Sequence, residues 1–201
     1  MVTNLSLSVV SILYNFQLMQ IAGENGIAAY GIIMYVNIVF MAIFLGYSVG
    51  SAPIVSYHYG AQNHAELKNL FAKSILLLAV SGVLLVGLSE LLAKPLVGIF
   101  ASYDRELFEM TTRGFMLYAL AFLPMGFNVW GSAFFTALNN GVVSAAISFL
   151  RTLLFQILMV LTLPMLLGID GIWLSIVAAE LLALAVTIVF LVVKRKQYRY
   201  V

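Results

Sequence analysis

Two glutamates inside long apolar segments are the residues of this sequence best placed to do chemistry. Glu180 lies in the middle of the apolar segment 171–195, and Glu90 lies in the outer part of the segment 70–100. A carboxylate in the interior of a membrane is costly and commonly serves as a proton or ion site. Glu180 is therefore a candidate proton or ion site, with a protonated or hydrogen-bonded structural glutamate as the alternative. Glu90, next to Lys94, is more typical of a structural residue near the membrane surface.

Met, aromatic and amide side chains recur at helical spacing in two apolar segments. Such a mixture suits a pocket for apolar or cationic ligands, because Met repacks easily and aromatic rings offer cation–π faces. The same pattern is also typical of an ordinary packed core. The candidate substrate-binding residues are Asn15, Tyr30, Met34, Asn37, Met41, Tyr118, Phe122, Met125 and Asn128.

The first apolar segment carries a polar stripe. Asn4, Ser8, Ser11 and Asn15 follow one another at spacings of four, three and four residues, which places them on one face of a helix. Small and amide residues often join membrane helices. The stripe therefore predicts either a contact between helices or one wall of a polar cavity.

Metal and nucleophilic chemistry find no support in the residue pattern. The chain contains no cysteine, and His58 and His64 are separated by a glycine turn with Glu66 as the nearest acid. Neither a GxSxG motif nor a phosphate-binding glycine loop occurs. We predict that the protein is not an enzyme, and that it has no bound metal or cofactor.

Composition places the chain in a membrane. Hydrophobic residues make up 63% of its 201 residues and charged residues only 9%, far below the roughly 25% charged residues of soluble domains. A span needs about 20 apolar residues, and Pro124 should bend the helix that contains it. The sequence predicts an all-α polytopic protein with one domain of six transmembrane helices, at about 2–22, 27–57, 70–100, 112–138, 142–167 and 171–195.

Lysine and arginine are distributed unevenly over the predicted loops. One side of the membrane would hold Lys68, Lys73, Arg151 and the basic segment 194–199, whereas the other side mixes basic and acidic residues. The positive-inside rule then places both termini in the cytoplasm. No basic face with interleaved aromatic residues occurs, so we expect lipid and not nucleic acid as a macromolecular neighbour.

Two stretches resemble multidrug and toxic compound extrusion (MATE) transporters. The stretch GSAPIVSYHYGAQN is similar to the end of the second helix in the C-terminal half of these proteins. The stretch FFTALNNGVVSAAISFLRTLLFQILMVLTLPMLLGIDGIW resembles the fourth to sixth helices of that half. The likeness covers nearly the whole chain and is nearest to the bacterial MepA/DinF-like branch.

The resemblance implies a fold and a function. MATE proteins usually have twelve helices in two six-helix lobes, and they export cationic or amphipathic compounds in exchange for sodium ions or protons. This chain would be the C-terminal lobe, in a plasma membrane and by this likeness a bacterial inner membrane. The N-terminal lobe would come from the same polypeptide, from another one or from a second copy. Some relatives carry a coupling acid in the first or fourth helix of this lobe; those segments contain none here, which leaves Glu180 or the other lobe.

Two alternatives stay open at this stage. Related flippases move lipid-linked oligosaccharides with a similar fold, but they usually need a strongly cationic cavity. Alternatively, the chain is a truncated lobe or accessory subunit that does not transport by itself, an interpretation prompted by Met1 at the start of a span.

Overall fold

The computed structural model describes the backbone of residues 2–201 and the side chains of residue 6 and residues 8–201. Every regular element of the described chain is helical, which confirms the all-α prediction. The elements are α1 (Val2–Gly60), α2 (His64–Ala101), α3 (Arg105–Ala119), α4 (Phe122–Ala137), α5 (Gly141–Phe149), a π-helical turn (Leu150–Leu154), α6 (Phe155–Leu167) and α7 (Ile169–Tyr198).

Helix α1 is two antiparallel arms joined at Gly23. The backbone of Gly23 is not helical, with φ 62° and ψ −149°, a conformation that residues with a side chain rarely adopt. Tyr14 and Tyr30 are sixteen positions apart and would be separated by about 24 Å along a straight helix. Their rings instead stack with centroids 5.2 Å apart. The chain therefore reverses at Gly23, in the break predicted between the spans 2–22 and 27–57, and we call residues 2–22 and 24–60 the first and second arms.

Helices α3 and α4 form one bent span. Their axes differ by 49°, and the break falls at Leu120 and Ala121, just before Pro124. A proline at position 124 has no N–H for the carbonyl of Leu120, one helical turn earlier, so the helix opens there. The kink predicted from Pro124 is confirmed.

The lengths and breaks of these helices allow six membrane crossings. Four helical segments are long and apolar enough to cross a membrane, and the bent pair α3–α4 adds a fifth span. The longest of the four, Ser8–Gly60, contains the reversal at Gly23 and so supplies two crossings. The six expected spans correspond to the two arms of α1, to α2, α3–α4, α5–α6 and α7.

The outer surface is apolar and the interior is closely packed. Leu91, Val49 and Met165 are 78%, 71% and 83% exposed, as expected for side chains that face lipid. Inside, Trp130 stacks on Phe134 with ring centroids 4.7 Å apart, and both are 1% exposed. This aromatic cluster fixes α4 at the centre of the bundle, in contact with α1, α2, α5 and α7.

The tight turn between α6 and α7 leaves no room for a side chain at Gly171. A Cβ atom at this position would collide with the backbone carbonyl of Leu163, which cannot move aside like a side chain. We expect Gly171→Ala to lower the free energy of unfolding by about 1–3 kcal/mol. Thermal unfolding of the chain in detergent measures the effect. Gly87→Ala is the matched control, since its Cβ meets nothing within 4 Å; equal stability of the two variants would contradict the packing argument.

Candidate functional site

A cavity of about 150 Å³ lies between both arms of α1, the bent pair α3–α4, the π-helical turn and α7. Most of its wall is aromatic, Met or amide side chains. Arg151 and Glu180 are the only charged residues of this wall, so its formal charge is zero. The wall consists of Val10, Ser11, Tyr14, Tyr30, Met34, Asn37, Met41, Tyr118, Met125, Arg151, Thr152, Gln156, Ile176 and Glu180.

Six of the nine substrate-binding candidates line this cavity: Tyr30, Met34, Asn37, Met41, Tyr118 and Met125. Asn15 follows the cavity residue Tyr14 and is half-buried outside the wall, because successive residues of a helix point about 100° apart. Phe122 is fully buried against the rings of Phe40 and Tyr118, with centroids 5.3 and 6.1 Å away. Asn128 is also fully buried, behind the cavity wall.

Arg151 and Glu180 form a buried ion pair. The Nε atom of Arg151 donates to both carboxylate oxygens of Glu180, at 2.8 and 3.0 Å. The two side chains are only 14% and 2% exposed. Desolvating two charges costs several kcal/mol per ion, and only close pairing with further hydrogen bonds offsets that cost. The carboxylate of Glu180 is therefore already paired with a cation of the same chain, the guanidinium of Arg151.

Asn128, behind the cavity wall, donates hydrogen bonds to Glu180. Its Nδ2 donates to Oε2 of Glu180 at 2.7 Å and to the Glu180 backbone carbonyl at 2.9 Å. The Thr187 hydroxyl donates to Oδ1 of Asn128 at 3.0 Å. These bonds join α4 to α7 and fix the orientation of Glu180. The amide predicted to contact substrate thus lies where it positions the carboxylate instead.

Local helix geometry brings Arg151 to the cavity. The backbone around it forms a π-helical turn, Leu150–Leu154, within the span built by α5 and α6. Such turns contain one extra residue and commonly occur at functional sites. With this wider turn, Arg151 and Thr152 lie on the same wall as Gln156.

Tyrosine rings form one side of the cavity. Tyr14 and Tyr30 lie nearly parallel, with an angle of 7° between their planes. The Tyr14 hydroxyl donates to Oε1 of Gln156 at 3.2 Å, which ties the first arm of α1 to α6. Stacked rings of this kind offer a flat face to an apolar or cationic ligand.

Asn37 offers an unused hydrogen-bond acceptor on the same wall. Its Oδ1 atom is buried and has no hydrogen-bond partner within the described chain. Buried polar atoms are nearly always paired, by protein, water or ligand. Asn37 is therefore suited to accept a hydrogen bond from a molecule in the cavity.

Sequence reasoning missed Tyr14, Gln156 and the role of Arg151 in this site. In the first segment the more polar neighbour Asn15 was chosen as the candidate in place of Tyr14. Gln156 was not chosen because the residues around it are apolar. For Arg151 a usable signal existed, because it and Glu180 are opposite charges within consecutive spans.

The comparisons with known proteins agree with this architecture. The MatE family model matches residues 1–162, which is most of the chain. The chain belongs to the MatE family. The matched residues include Arg151, whereas Glu180 lies beyond them. The MepA/DinF-like branch stays a prediction. A search of curated proteins found no match.

Solved MATE structures share the fold of this MatE chain. A crystal structure of MATE in complex with MaL6 matches with a TM-score of 0.90 at 19% identity, over 99% of this chain and 45% of that one. An outward-facing multidrug resistance MATE transporter of the MOP superfamily matches equally well, over 100% of this chain and 45% of that one. A MOP superfamily transporter from Pyrococcus furiosus, described as having a binding pocket of reverse polarity, matches with a TM-score of 0.89 at 19% identity, over 98% of this chain and 45% of that one.

This MatE chain spans about 45% of the length of the structures that it matches. It therefore has the fold of one lobe of a two-lobe transporter. Its family and its apolar helices make it a multi-pass membrane protein. Its structural relatives are transporters and not enzymes.

Proposed function

We propose that this chain is the C-terminal lobe of a MATE transporter that exports organic cations and other amphipathic drugs by antiport with sodium ions or protons. The observation that carries the proposal is the cavity, which gathers Tyr30, Met34, Met41 and Met125 around a buried acid–base pair. Flexible thioethers and flat rings accept ligands of different shape, as a multidrug site must.

The size of the cavity supports a site shared with a second lobe. Pockets for drug-sized ligands usually measure about 300–1,000 Å³, whereas this cavity measures about 150 Å³. We propose that the N-terminal lobe, in cis, in trans or as a second copy, supplies the opposite wall. Both termini would lie on the cytoplasmic side of the plasma membrane, because of the positive-inside rule.

Ion coupling would use the pair of Arg151 and Glu180. A proton or a sodium ion that reaches Glu180 has to compete with the guanidinium for the same carboxylate oxygens. Its binding would release Arg151 toward the cavity and raise the positive charge there. Since substrate cations are repelled by a free guanidinium, ion entry and substrate exit would be linked through one side chain.

Tyr30 and Tyr35 allow a matched test of substrate contact. Tyr30 lines the cavity, whereas Tyr35, on the same arm of α1, is 67% exposed on the outer surface. We expect Tyr30→Ala in the complete transporter to lower efflux of a cationic dye on the order of tenfold, the loss from removing one aromatic contact of about 1–2 kcal/mol. Tyr35→Ala should leave efflux unchanged at equal expression. Equal effects of the two substitutions would count against the cavity as the substrate site.

The two alternatives lead to different measurements. A lipid-linked oligosaccharide flippase would bind the lipid-linked precursor and not cationic dyes; the single base of this wall is already paired with Glu180, which favours drug export. A lobe without transport activity of its own would show no dye movement when the 201-residue chain alone is placed in liposomes. Addition of the N-terminal lobe should then restore movement.

A further inference from the structure

A basic cleft lies at the end of the bundle where α2 begins and α7 ends. Its volume is about 490 Å³, and it is lined by His64, Lys68, Arg195, Lys196, Arg199 and Val201. It is separate from the central cavity, with which it shares no lining residue. Four of its six residues carry a full positive charge.

The cleft is held in place by the segment that follows α7. Arg199 adopts a left-handed conformation with φ 54° and ψ 40°, which turns the chain back onto the bundle. Tyr200 is then 1% exposed, with its hydroxyl donating to the Leu191 carbonyl at 2.7 Å. Its ring lies 5.0 Å from the ring of Phe71. The basic residues are thus arranged by a packed anchor and do not belong to a loose tail.

A second tyrosine fixes the same segment on its other side. Tyr198 is 5% exposed and accepts a hydrogen bond from Nδ2 of Asn140 at 2.9 Å. Its ring packs edge-on against Tyr59, with centroids 5.6 Å apart. The end of α7 is therefore joined to the second arm of α1 and to the α4–α5 turn.

No acidic side chain lines the cleft. None of the three ion pairs between described residues involves a cleft residue. The nearest acid along the chain, Glu66, is not a lining residue and accepts a hydrogen bond from Asn69. The amino-terminal end of the 38-residue helix α2 adds partial positive charge at His64. The cleft is therefore suited to bind an anion.

The position of the cleft selects the kind of anion. It lies at the ends of α2 and α7, which are both long and apolar enough to cross a membrane, and lipid headgroups flank the hydrocarbon core at the ends of such helices. Basic pockets between the ends of membrane helices bind anionic headgroups, and arginine pairs with phosphate through two parallel hydrogen bonds. A soluble phosphate offers the same group without the acyl chains, which would lie along an apolar groove beside α2 and α7 whose lining includes Ile75, Ile188 and Leu191.

We propose that this cleft binds the phosphate of an anionic phospholipid headgroup. The lipid connects α2 to α7 and so fastens the end of the helix that carries Glu180. This site does not depend on the substrate or the coupling ion proposed above. The alternative is that these positive charges only set the orientation of the chain in the membrane. In that case anionic lipid would be attracted in proportion to the net charge, whichever cations remain.

A comparison of two charge-matched double variants tests the proposal. Arg195→Gln with Arg199→Gln removes two cleft cations, and Lys73→Gln with Lys194→Gln removes two cations of the same end of the bundle that do not line the cleft. The probe is phosphatidylglycerol titrated into the chain in phosphatidylcholine nanodiscs, with bound lipid counted by native mass spectrometry. We expect the first variant to weaken phosphatidylglycerol binding on the order of tenfold or more and the second by less than about twofold.

Three results would overturn the proposal. These are equal weakening in both double variants, unchanged binding in the first one, and displacement of the lipid by inorganic phosphate at similar concentration. Tyr200→Ala provides a further test, because it keeps all the charges but frees the segment that arranges them. Loss of specific binding in this variant, with the thermal unfolding of the bundle unchanged, would support an arranged site; retention of the binding would overturn it.

Discussion

Replacing Arg151 by methionine is expected to lower the free energy of unfolding of this chain by about 3–5 kcal/mol, because Glu180 would be left as an unpaired buried charge. Methionine keeps much of the volume and removes only the guanidinium. The exposed fraction of 14% for Arg151 and 2% for Glu180 leaves little room for water to replace the pair. Chemical or thermal unfolding in detergent measures the loss.

Two further variants separate charge from packing in this experiment. Arg151→Met combined with Glu180→Gln removes both charges and should recover most of the lost stability, since a neutral amide still accepts the hydrogen bond from Asn128. Arg105→Met breaks the exposed pair with Glu109, whose side chains are 91% and 64% exposed, and should change stability little. A double variant as unstable as the single one would show that volume, and not charge, is what Arg151 contributes.

The same neutral pair should uncouple transport from its driving ion. In a complete transporter carrying Arg151→Met with Glu180→Gln, we expect efflux driven by an imposed sodium or proton gradient to fall on the order of tenfold or more, the size of a typical coupling free energy. Binding of the cationic dye should change much less, because Tyr30 and the Met side chains remain. Dye efflux from proteoliposomes, with each gradient imposed separately, measures the loss and identifies the ion.

The control for coupling is the neutralised surface pair, Arg105→Met with Glu109→Gln. This control also removes one positive and one negative charge, but at an exposed position of α3, and it should leave gradient-driven efflux intact. If the Arg151 and Glu180 double variant also keeps its response to the gradient, coupling takes place elsewhere, such as the N-terminal lobe.

Much of the fold follows from patterns that act over short distances. Long apolar segments separated by AGENG, LNNG and LGIDG define the crossings without knowledge of their neighbours. Tyr30, Met34, Asn37 and Met41 come together in the cavity because one uninterrupted helix carries them at a spacing of three or four residues. Where a helix stays straight, its sequence period predicts its faces.

The same reasoning fails where a helix bends. Tyr118 lies in α3, whereas Phe122, Met125 and Asn128 lie in α4, beyond the 49° bend. A stripe drawn along a straight helix therefore joins residues that face different neighbours, and Asn128 turns toward α7. Pro124 signalled the bend, but a proline alone does not tell which way the following residues point.

The ion pair illustrates a contact that sequence could have indicated more firmly. Counted from Gly168, Arg151 lies seventeen residues before the turn and Glu180 twelve residues after it. At about 1.5 Å per residue their depths differ by roughly 7–8 Å, which the two side chains together can bridge. What no local pattern provides is the π-helical turn that rotates Arg151 toward its partner.

That turn also affects how this protein is compared with its relatives. A π-helical turn holds one residue more than the α-helical turn it replaces, so an alignment with any MatE protein whose corresponding helix is uninterrupted needs a one-residue gap within 150–154. Without the gap, every position on one side of the turn is matched to a neighbour about 100° away around the helix. Family-wide statistics at this span would then assign the partner of Glu180 to Leu150 or Thr152, neither of which carries a charge.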